Sequence, residues 1–257
     1  MKALHSELAL QLDDAMLKRQ AVPQITQNQK SLTLEDAYAI QSILVHRREQ
    51  RGERRIGMKM GMTSRAKMQQ MGVQEMTWGR LCDGMLLEEG GDLTLSSFIH
   101  PRIEPELAFL IGKPLSGKVT AAQALAAVEG VAPAMEVVDS RYKDFQFTLT
   151  DVVADNSSAA GLIVGAWSRP DQDLSNLGVV LEVNGMVVDT ASTAAVLGHP
   201  LRALVAAARL VGAAGETLHP GDIVLSGGIT AAHAVSAGET IRATMQNLGF
   251  ATVTVRN

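Results

Sequence analysis

His100-Pro-Arg-Ile-Glu-Pro-Glu-Leu-Ala-Phe109 places two carboxylates, Glu104 and Glu106, at i and i+2 at the head of an apolar run. Successive side chains of a strand point to opposite faces, so on a strand both carboxylates share one face. Side by side they repel, and Leu107, Ala108, Phe109 and Leu110 follow at once. A cation between them would relieve the repulsion. A third carboxylate, Glu136, is embedded in Val131-Ala-Pro-Ala-Met-Glu-Val-Val138, and a charge within an apolar run is seldom buried unpaired. Three carboxylates, with no Cys or His among them, suit a hard divalent cation such as Mg²⁺ or Mn²⁺. The competing reading is that Glu104 and Glu106 line the wet face of an edge strand, which Pro105 between them also fits.

Composition narrows the class. The chain has 257 residues and 46% apolar content, enough for one large domain with a sizeable core. Its net charge of −4, with no long basic tract, argues against nucleic acid and anionic membrane as partners. Twelve Met against only five Phe, two Trp and two Tyr imply an aliphatic, Met-filled core. The single cysteine, Cys82, excludes an intramolecular disulfide and fits a reducing compartment; a lone Cys usually serves as a small buried hydrophobe rather than a nucleophile. Glu7, Asp13 and Asp14 interrupt any signal-peptide core near the start, and no apolar run reaches the ~20 residues needed to span a bilayer. A cytoplasmic protein is the expectation.

Along the chain, residues 3–20 read as a helix, and a loop with Pro23 follows. Thr33 caps a second helix, with Asp36 at N3 as its capping-box partner and Ala37, Ile40, Ile43 and Leu44 as its apolar stripe. The charged run Arg47 to Arg55 reads as a solvated helix end and turn. From residue 57 onward short β-like runs alternate with Gly-rich turns. Two helices interrupt them, one over the Ala-rich 121–128 after Thr120, the other from Pro200 to Gly212 or Gly215. Asn184-Gly185 turns a hairpin over 179–189, and 222–228 and 251–256 read as strands. The fold class expected is α+β, with a helical N-terminal segment (1–56) on a mixed, strand-rich domain (57–257).

Several polar residues fall in places that invite chemistry. Lys59, inside the apolar run Met58-Lys-Met60, either snorkels at an edge, is held by a carboxylate, or serves as a site cation. Asp151-Val-Val-Ala-Asp-Asn-Ser-Ser158 is by default a loop, although its Asn and Ser suit hydrogen bonding to a carboxylate or a metal-bound water. Arg141, in the charged stretch Asp139 to Asp144, either clamps a substrate carboxylate bidentately or belongs to a surface salt-bridge loop. His199 reads as a helix-start residue. Dinucleotide, Walker, zincin and nucleophile-elbow motifs are all missing from the sequence.

Lys59-Met-Gly-Met-Thr-Ser-Arg-Ala-Lys-Met68, Pro101 to Phe109, Ala134-Met-Glu-Val-Val-Asp-Ser-Arg-Tyr-Lys-Asp-Phe145, Val153-Ala-Asp-Asn-Ser-Ser158 and Gly221-Asp-Ile-Val-Leu-Ser-Gly-Gly-Ile-Thr230 together resemble the hydratase/decarboxylase family of the fumarylacetoacetate hydrolase superfamily. The blocks stand in the family's order and span nearly the whole chain. The resemblance implies a mixed β-roll or barrel-like core, and Mg²⁺ (or Mn²⁺) on Glu104, Glu106 and Glu136. It further implies catalytic roles for Lys59, Ser157 and Ser158, and Lys59 and Arg141 are the candidate cations for a dianionic substrate. The implied activity is that of a lyase, metal-dependent decarboxylation of 2-oxo-3-hexenedioate to 2-hydroxypenta-2,4-dienoate and CO₂ in aromatic meta-cleavage catabolism. Residues 139–149 and 226–232 favour this branch, whereas 157–162 look partly hydratase-like. Hydration of 2-hydroxypenta-2,4-dienoate, or an inactive scaffold role, is the alternative. The expected partners are a 2-oxo dicarboxylic acid and either a second copy of the chain or a vinylpyruvate hydratase.

Overall fold

The computed structural model describes residues 1–64, 68 and 75–257; residues 65–67 of the Lys59–Met68 block lie outside the described residues. The chain begins with α1 (Lys2–Lys18), a short α2 (Ile25–Asn28) and α3 (Leu34–Gln50). Thr33 and Asp36 form the full reciprocal capping box that the sequence predicts. The loop around Pro23 is more ordered than expected, because Val22 bridges Tyr142 and α2 follows. Apolar residues of the helices (Leu8, Leu12, Ile40, Leu44) bury against Tyr142, Val152 and Val153. Gln41 of α3, fully buried, donates to the carbonyls of Trp78 and Val153 and so fastens this layer to the sheet.

The Arg47–Arg55 run is not simply solvated. Arg47 and Arg51 converge on Asp13 of α1, whose side chain is fully buried, at 2.7 and 2.8 Å, and Arg48 pairs with Glu53. The run is a clamp between α1 and α3.

Two mixed sheets follow. In the larger, β1 (Arg55–Gly61), β2 (Thr77–Cys82), β3 (Leu86–Leu87), β5 (Arg102–Ile111), β6 (Val128–Val138), β7 (Ala159–Val164) and β10 (Ile223–Leu225) run in the order β2-β1-β10-β5-β6-β7-β3, with β11 (His233–Ala234) also on β5. β2 packs against β7, so the sheet rolls into a partial barrel lined by Leu81, Met85, Ala108, Ala132, Ala134, Leu162 and Leu225. The smaller sheet, β4 (Asp92–Thr94), β8 (Gly178–Val183), β9 (Met186–Ser192), β12 (Thr240–Met245) and β13 (Gly249–Arg256), has the order β4-β13-β12-β8-β9. It packs Leu181, Ile241 and Val253 against Met135, Val137 and Ile163 of the roll. The helix Leu201–Ala213 covers another face through Ala203, Leu204 and Ala207 against Leu107 and Phe109. His199 Nδ1 accepts the Leu201 N–H at the start of that helix, and Asn184-Gly185 turns the β8–β9 hairpin with φ of 52° and 76°.

Two strand readings change. The 222–228 run is a strand only over Ile223–Leu225, because the chain then leaves the sheet to reach Glu106. β5 is central rather than an edge, with β6 on one side and β10 and β11 on the other. Pro105 is tolerated there because its carbonyl accepts the Ile229 N–H. Its missing N–H therefore faces the gap between β10 and β11, where no ladder bond is lost.

Candidate active site and metal centre

The β5–β6 register puts Glu104 directly opposite Glu136, and Glu106, two residues on, shares the face of Glu104. Carboxylate oxygens of the three lie within 4.8 Å of one another. Glu106 and Glu136 are completely buried and Glu104 is half-buried. Like charges opposite each other destabilise a sheet, and burial adds a desolvation penalty, so the cluster needs positive charge. The Gly227 N–H donates to Glu106 Oε2 at 2.6 Å, while among the described residues Glu106 Oε1 and Glu136 Oε1 are buried with no hydrogen-bond partner. Orphaned oxygens in an all-carboxylate set fit a hard divalent cation. Gly228 leaves room for the Glu104 carboxylate, since a Cβ there would lie 2.4 Å from Glu104 Oε2 and push it aside.

Lys59 of β1 lies beside this cluster. Its Nζ is 3.0 Å from Glu136 Oε2 and donates to the Ser157 carbonyl at 3.0 Å, at 5% exposure. Burial alone would lower its pKa, but Glu136, Glu106 and Glu104 outweigh burial and raise it, so the ammonium keeps its charge. Burial, reinforced by Glu136 and opposed by Lys59, lifts Glu106 well above the usual carboxyl range. Burial, with Lys59 opposing and Glu104 assisting, pushes Glu136 up to about 7. The single Lys59 ammonium does not neutralise the buried pair Glu106 and Glu136, and a divalent cation would supply the missing positive charge.

The stretch 151–161 is not a plain loop. Thr148 and Asp151 form a capping box on a helix Leu149–Ala154, and three consecutive non-glycine residues, Asn156, Ser157 and Ser158, then adopt φ of 49°, 52° and 59°. Left-handed backbone costs roughly 1–2 kcal/mol per such residue, so the turn must be held from outside. The Asn156 side chain accepts the Arg80 N–H and donates to the Arg80 carbonyl, both at 2.8 Å. Gly79 lets the turn close on β2, because a Cβ there would lie 2.3 Å from the Asn156 carbonyl oxygen. The two serines separate. Ser157 Oγ donates to the Trp78 carbonyl at 3.0 Å, whereas Ser158 Oγ is buried without a partner among the described residues.

A cavity of about 140 Å³ joins these groups. Lys59, Glu104, Ser157 and Ser158 form its polar side; Met60, Val138, Val152, Phe145 and Phe147 form its apolar side. Sequence reasoning missed the two phenylalanines, whose roles depend on a loop conformation with Phe145 at φ 57°.

Arg141 requires correction. It is neither at the cavity nor in a surface loop. At 2% exposure, its guanidinium bonds the Asp155 carboxylate, the Asp155 carbonyl, and the Asp139 and Ala159 carbonyls at 2.6 and 3.3 Å. Every part of the fork is committed inside the protein, and Arg141 borders a separate cleft with Arg48 and Asp139. Burial pushes the Asp155 carboxyl up to about 6 despite Arg141. Cys82 is fully buried, and desolvation pushes its thiol up to about 11, which leaves it an inert core residue.

Comparison with known proteins finds relatives along nearly the whole chain. A 4-oxalocrotonate decarboxylase from Pseudomonas sp is 51% identical over 244 residues, covering 95% of each chain. A 2-hydroxypent-2,4-dienoate hydratase from Pseudomonas putida is 39% identical, covering 82% of this chain and 97% of its own. The solved structure of 4-oxalocrotonate decarboxylase from Pseudomonas putida G7, complexed with magnesium and adipate, superposes with a TM-score of 0.96 at 38% identity, covering 99% of this chain and 98% of that one. Residues 85–256 match the model of the fumarylacetoacetate (FAA) hydrolase C-terminal domain. With its rolled mixed sheet and these likenesses, the chain belongs to the fumarylacetoacetate hydrolase family.

Proposed function

We propose that this chain is a lyase that decarboxylates 2-oxo-3-hexenedioate (4-oxalocrotonate) to 2-hydroxypenta-2,4-dienoate and CO₂ in aromatic meta-cleavage catabolism, with Mg²⁺ or Mn²⁺ as cofactor. The observation that carries this is 51% identity, over 95% of both chains, to a 4-oxalocrotonate decarboxylase. Adipate, found with magnesium in the similar solved structure, is a six-carbon dicarboxylate like the proposed substrate. All the site residues named lie within 57–257, which we take as the catalytic domain, with 1–56 as its helical segment.

Glu104, Glu106 and Glu136 would hold the cation, which when bound supplies Lewis acidity to a 2-oxo acid. The far carboxylate of the substrate belongs to a vinylogous β-keto acid. As its bond to C5 breaks, the electron pair moves through the C3–C4 double bond onto the keto oxygen, and no base is needed for that cleavage. Lys59, held between Glu136 and the Ser157 carbonyl, keeps a positive charge where that oxygen becomes anionic. Ser158, which lines the cavity and whose buried Oγ has no partner among the described residues, would hydrogen-bond substrate, and Ser157 holds the turn that presents it. The apolar wall of Phe145, Phe147 and Val152 suits neutral CO₂ better than the carboxylate it replaces.

The unstable dienol product is the natural substrate of a hydratase. We therefore place the chain in a complex with a vinylpyruvate hydratase, or in a homo-oligomer. Among the described residues no helix is long and apolar enough to cross a membrane, and the buried, protonated Cys82 fits work in the cytoplasm. The test is CO₂ release and loss of substrate absorbance from 2-oxo-3-hexenedioate, with Mg²⁺ and with EDTA. Metal-dependent release is the expected result. Water addition to 2-hydroxypenta-2,4-dienoate without CO₂ release would make the chain a hydratase, and inactivity on both would leave the scaffold reading.

A further inference from the structure

We propose that Arg141 and Asp155 form a positioning pair that locks the left-handed turn Asn156-Ser157-Ser158 and, through it, the Lys59 ammonium and the Ser158 hydroxyl. The inference rests on the decarboxylase reading above and deepens it. Neither residue borders the cavity that holds Lys59 and Ser158.

Arg141 brackets the turn. Its guanidinium binds the carbonyl of Asp155 on one side of the three left-handed residues and the carbonyl of Ala159 on the other. Its third carbonyl partner is Asp139, three residues beyond Glu136, and the Asp139 N–H in turn donates to the Ser158 carbonyl at 2.9 Å. The Asp155 carboxylate closes the arrangement by accepting from both the side chain and the backbone N–H of Arg141. The fork thus ties the end of the carboxylate-bearing strand to both ends of the turn. Buried ion pairs are poor general stabilisers, and a retained one asks for a specific structural role. Strained left-handed residues persist only where their surroundings over-determine them. The direction of the Ser157 carbonyl is set by this backbone, and that carbonyl, with Glu136, holds Lys59 Nζ. A relaxed turn would swing the carbonyl away, leave the ammonium aimed by Glu136 alone and carry Ser158 away from the cavity. Lysine cannot replace the arginine, since a point ammonium does not span three carbonyls and a carboxylate.

The experiment compares Arg141→Lys, Arg141→Ala and Asp155→Asn in the full chain. It measures kcat and KM for 2-oxo-3-hexenedioate, Mn²⁺ affinity by calorimetry, and hydrogen–deuterium exchange across 155–159. Misplaced catalytic groups lower kcat by roughly 100-fold; we expect that loss in Arg141→Lys, with KM and Mn²⁺ affinity unchanged, and partial rescue of Arg141→Ala by added methylguanidinium. Asp155→Asn preserves shape and should lose less, which keeps the test open if the arginine variants fold poorly. A raised KM with unchanged kcat would show that Arg141 meets substrate directly. A parallel loss of Mn²⁺ affinity would make the pair a support of the carboxylates instead, and unchanged kinetics would remove its role. If the wild type releases no CO₂, the decarboxylase reading fails by itself. The pair is then judged by exchange alone, where faster exchange at 155–159 with α1 and α3 unchanged supports it and unaltered exchange overturns it.

Discussion

Glu104 and Glu136 face each other across the β5–β6 pair, with Glu106 buried beside them. The three carboxyls repel one another when ionised, and burial holds Glu106 and Glu136 toward their neutral forms until a cation binds. Glu106→Gln removes one charge and keeps an oxygen for the Gly227 N–H. The expected result is Mg²⁺ affinity lower by at least about 10-fold and loss of metal-dependent activity. Unchanged Mg²⁺ affinity would remove Glu106 from the metal shell.

Metal binding should release protons. Glu136, pushed up to about 7 by burial and Glu104 despite Lys59, is partly protonated at neutral pH when no cation is present, and Glu106 is shifted the same way. A cation binds the deprotonated forms. Mg²⁺ affinity should therefore rise with pH through about 7 and weaken steadily below it. Calorimetry in buffers of different ionisation enthalpy would read the released protons; pH-independent affinity between 6 and 8 would contradict this charge balance.

Lys59→Ala removes the ammonium beside Glu136. Loss of an electrostatic partner aimed at developing negative charge typically costs roughly 10²–10³ in kcat. Metal affinity should hold or tighten, because a competing positive charge is gone. Loss of metal binding with turnover intact at saturating metal would contradict the role given to Lys59.

The two serines should behave differently. Ser157→Ala loses the bond to the Trp78 carbonyl and about 1 kcal/mol of stability. Ser158→Ala breaks no side-chain bond among the described residues, so it should melt like wild type while its kcat/KM falls. Equal effects on melting and turnover in both variants would erase this distinction.

What could be read beforehand follows from the range of the interactions. The capping box at Thr33, the Asn184-Gly185 turn and the shared face of Glu104 and Glu106 are encoded within a few residues. The same Thr-x-x-Asp signal stood at Thr148 and Asp151, but Asp, Asn and Ser crowding behind it gave the segment the texture of a loop. Arg141 was misplaced because its charged neighbours look like a surface, while its burial is decided by Asp155, fourteen residues on. The pairing of Glu104 with Glu136 depends on a register set across a long connection that contains its own helix. Pro105 looked like an edge residue because the gap between β10 and β11 is made by a segment more than a hundred residues away.

The clamp between α1 and α3 gives the molecule an acid-sensitive joint. Asp13 is fully buried as a side chain between Arg47 and Arg51, each about one-third exposed. Burial alone would raise its pKa, but the hydrogen bonds from Arg51 and Arg47 outweigh burial and hold the carboxyl below its ordinary 3.8. A carboxyl depressed in the folded state stabilises the fold above its unfolded pKa, and that contribution is lost as pH falls through the folded value. Asp13→Asn should therefore lower stability at pH 7 by about 2 kcal/mol, the worth of hydrogen bonds to charged groups. The deficit relative to wild type should close only below the ordinary carboxyl range, once the wild-type carboxyl is itself protonated. Urea unfolding at pH 7 and at pH 3 measures both values. A difference that is the same at the two pH values would mean that packing, rather than charge, holds α1 against α3.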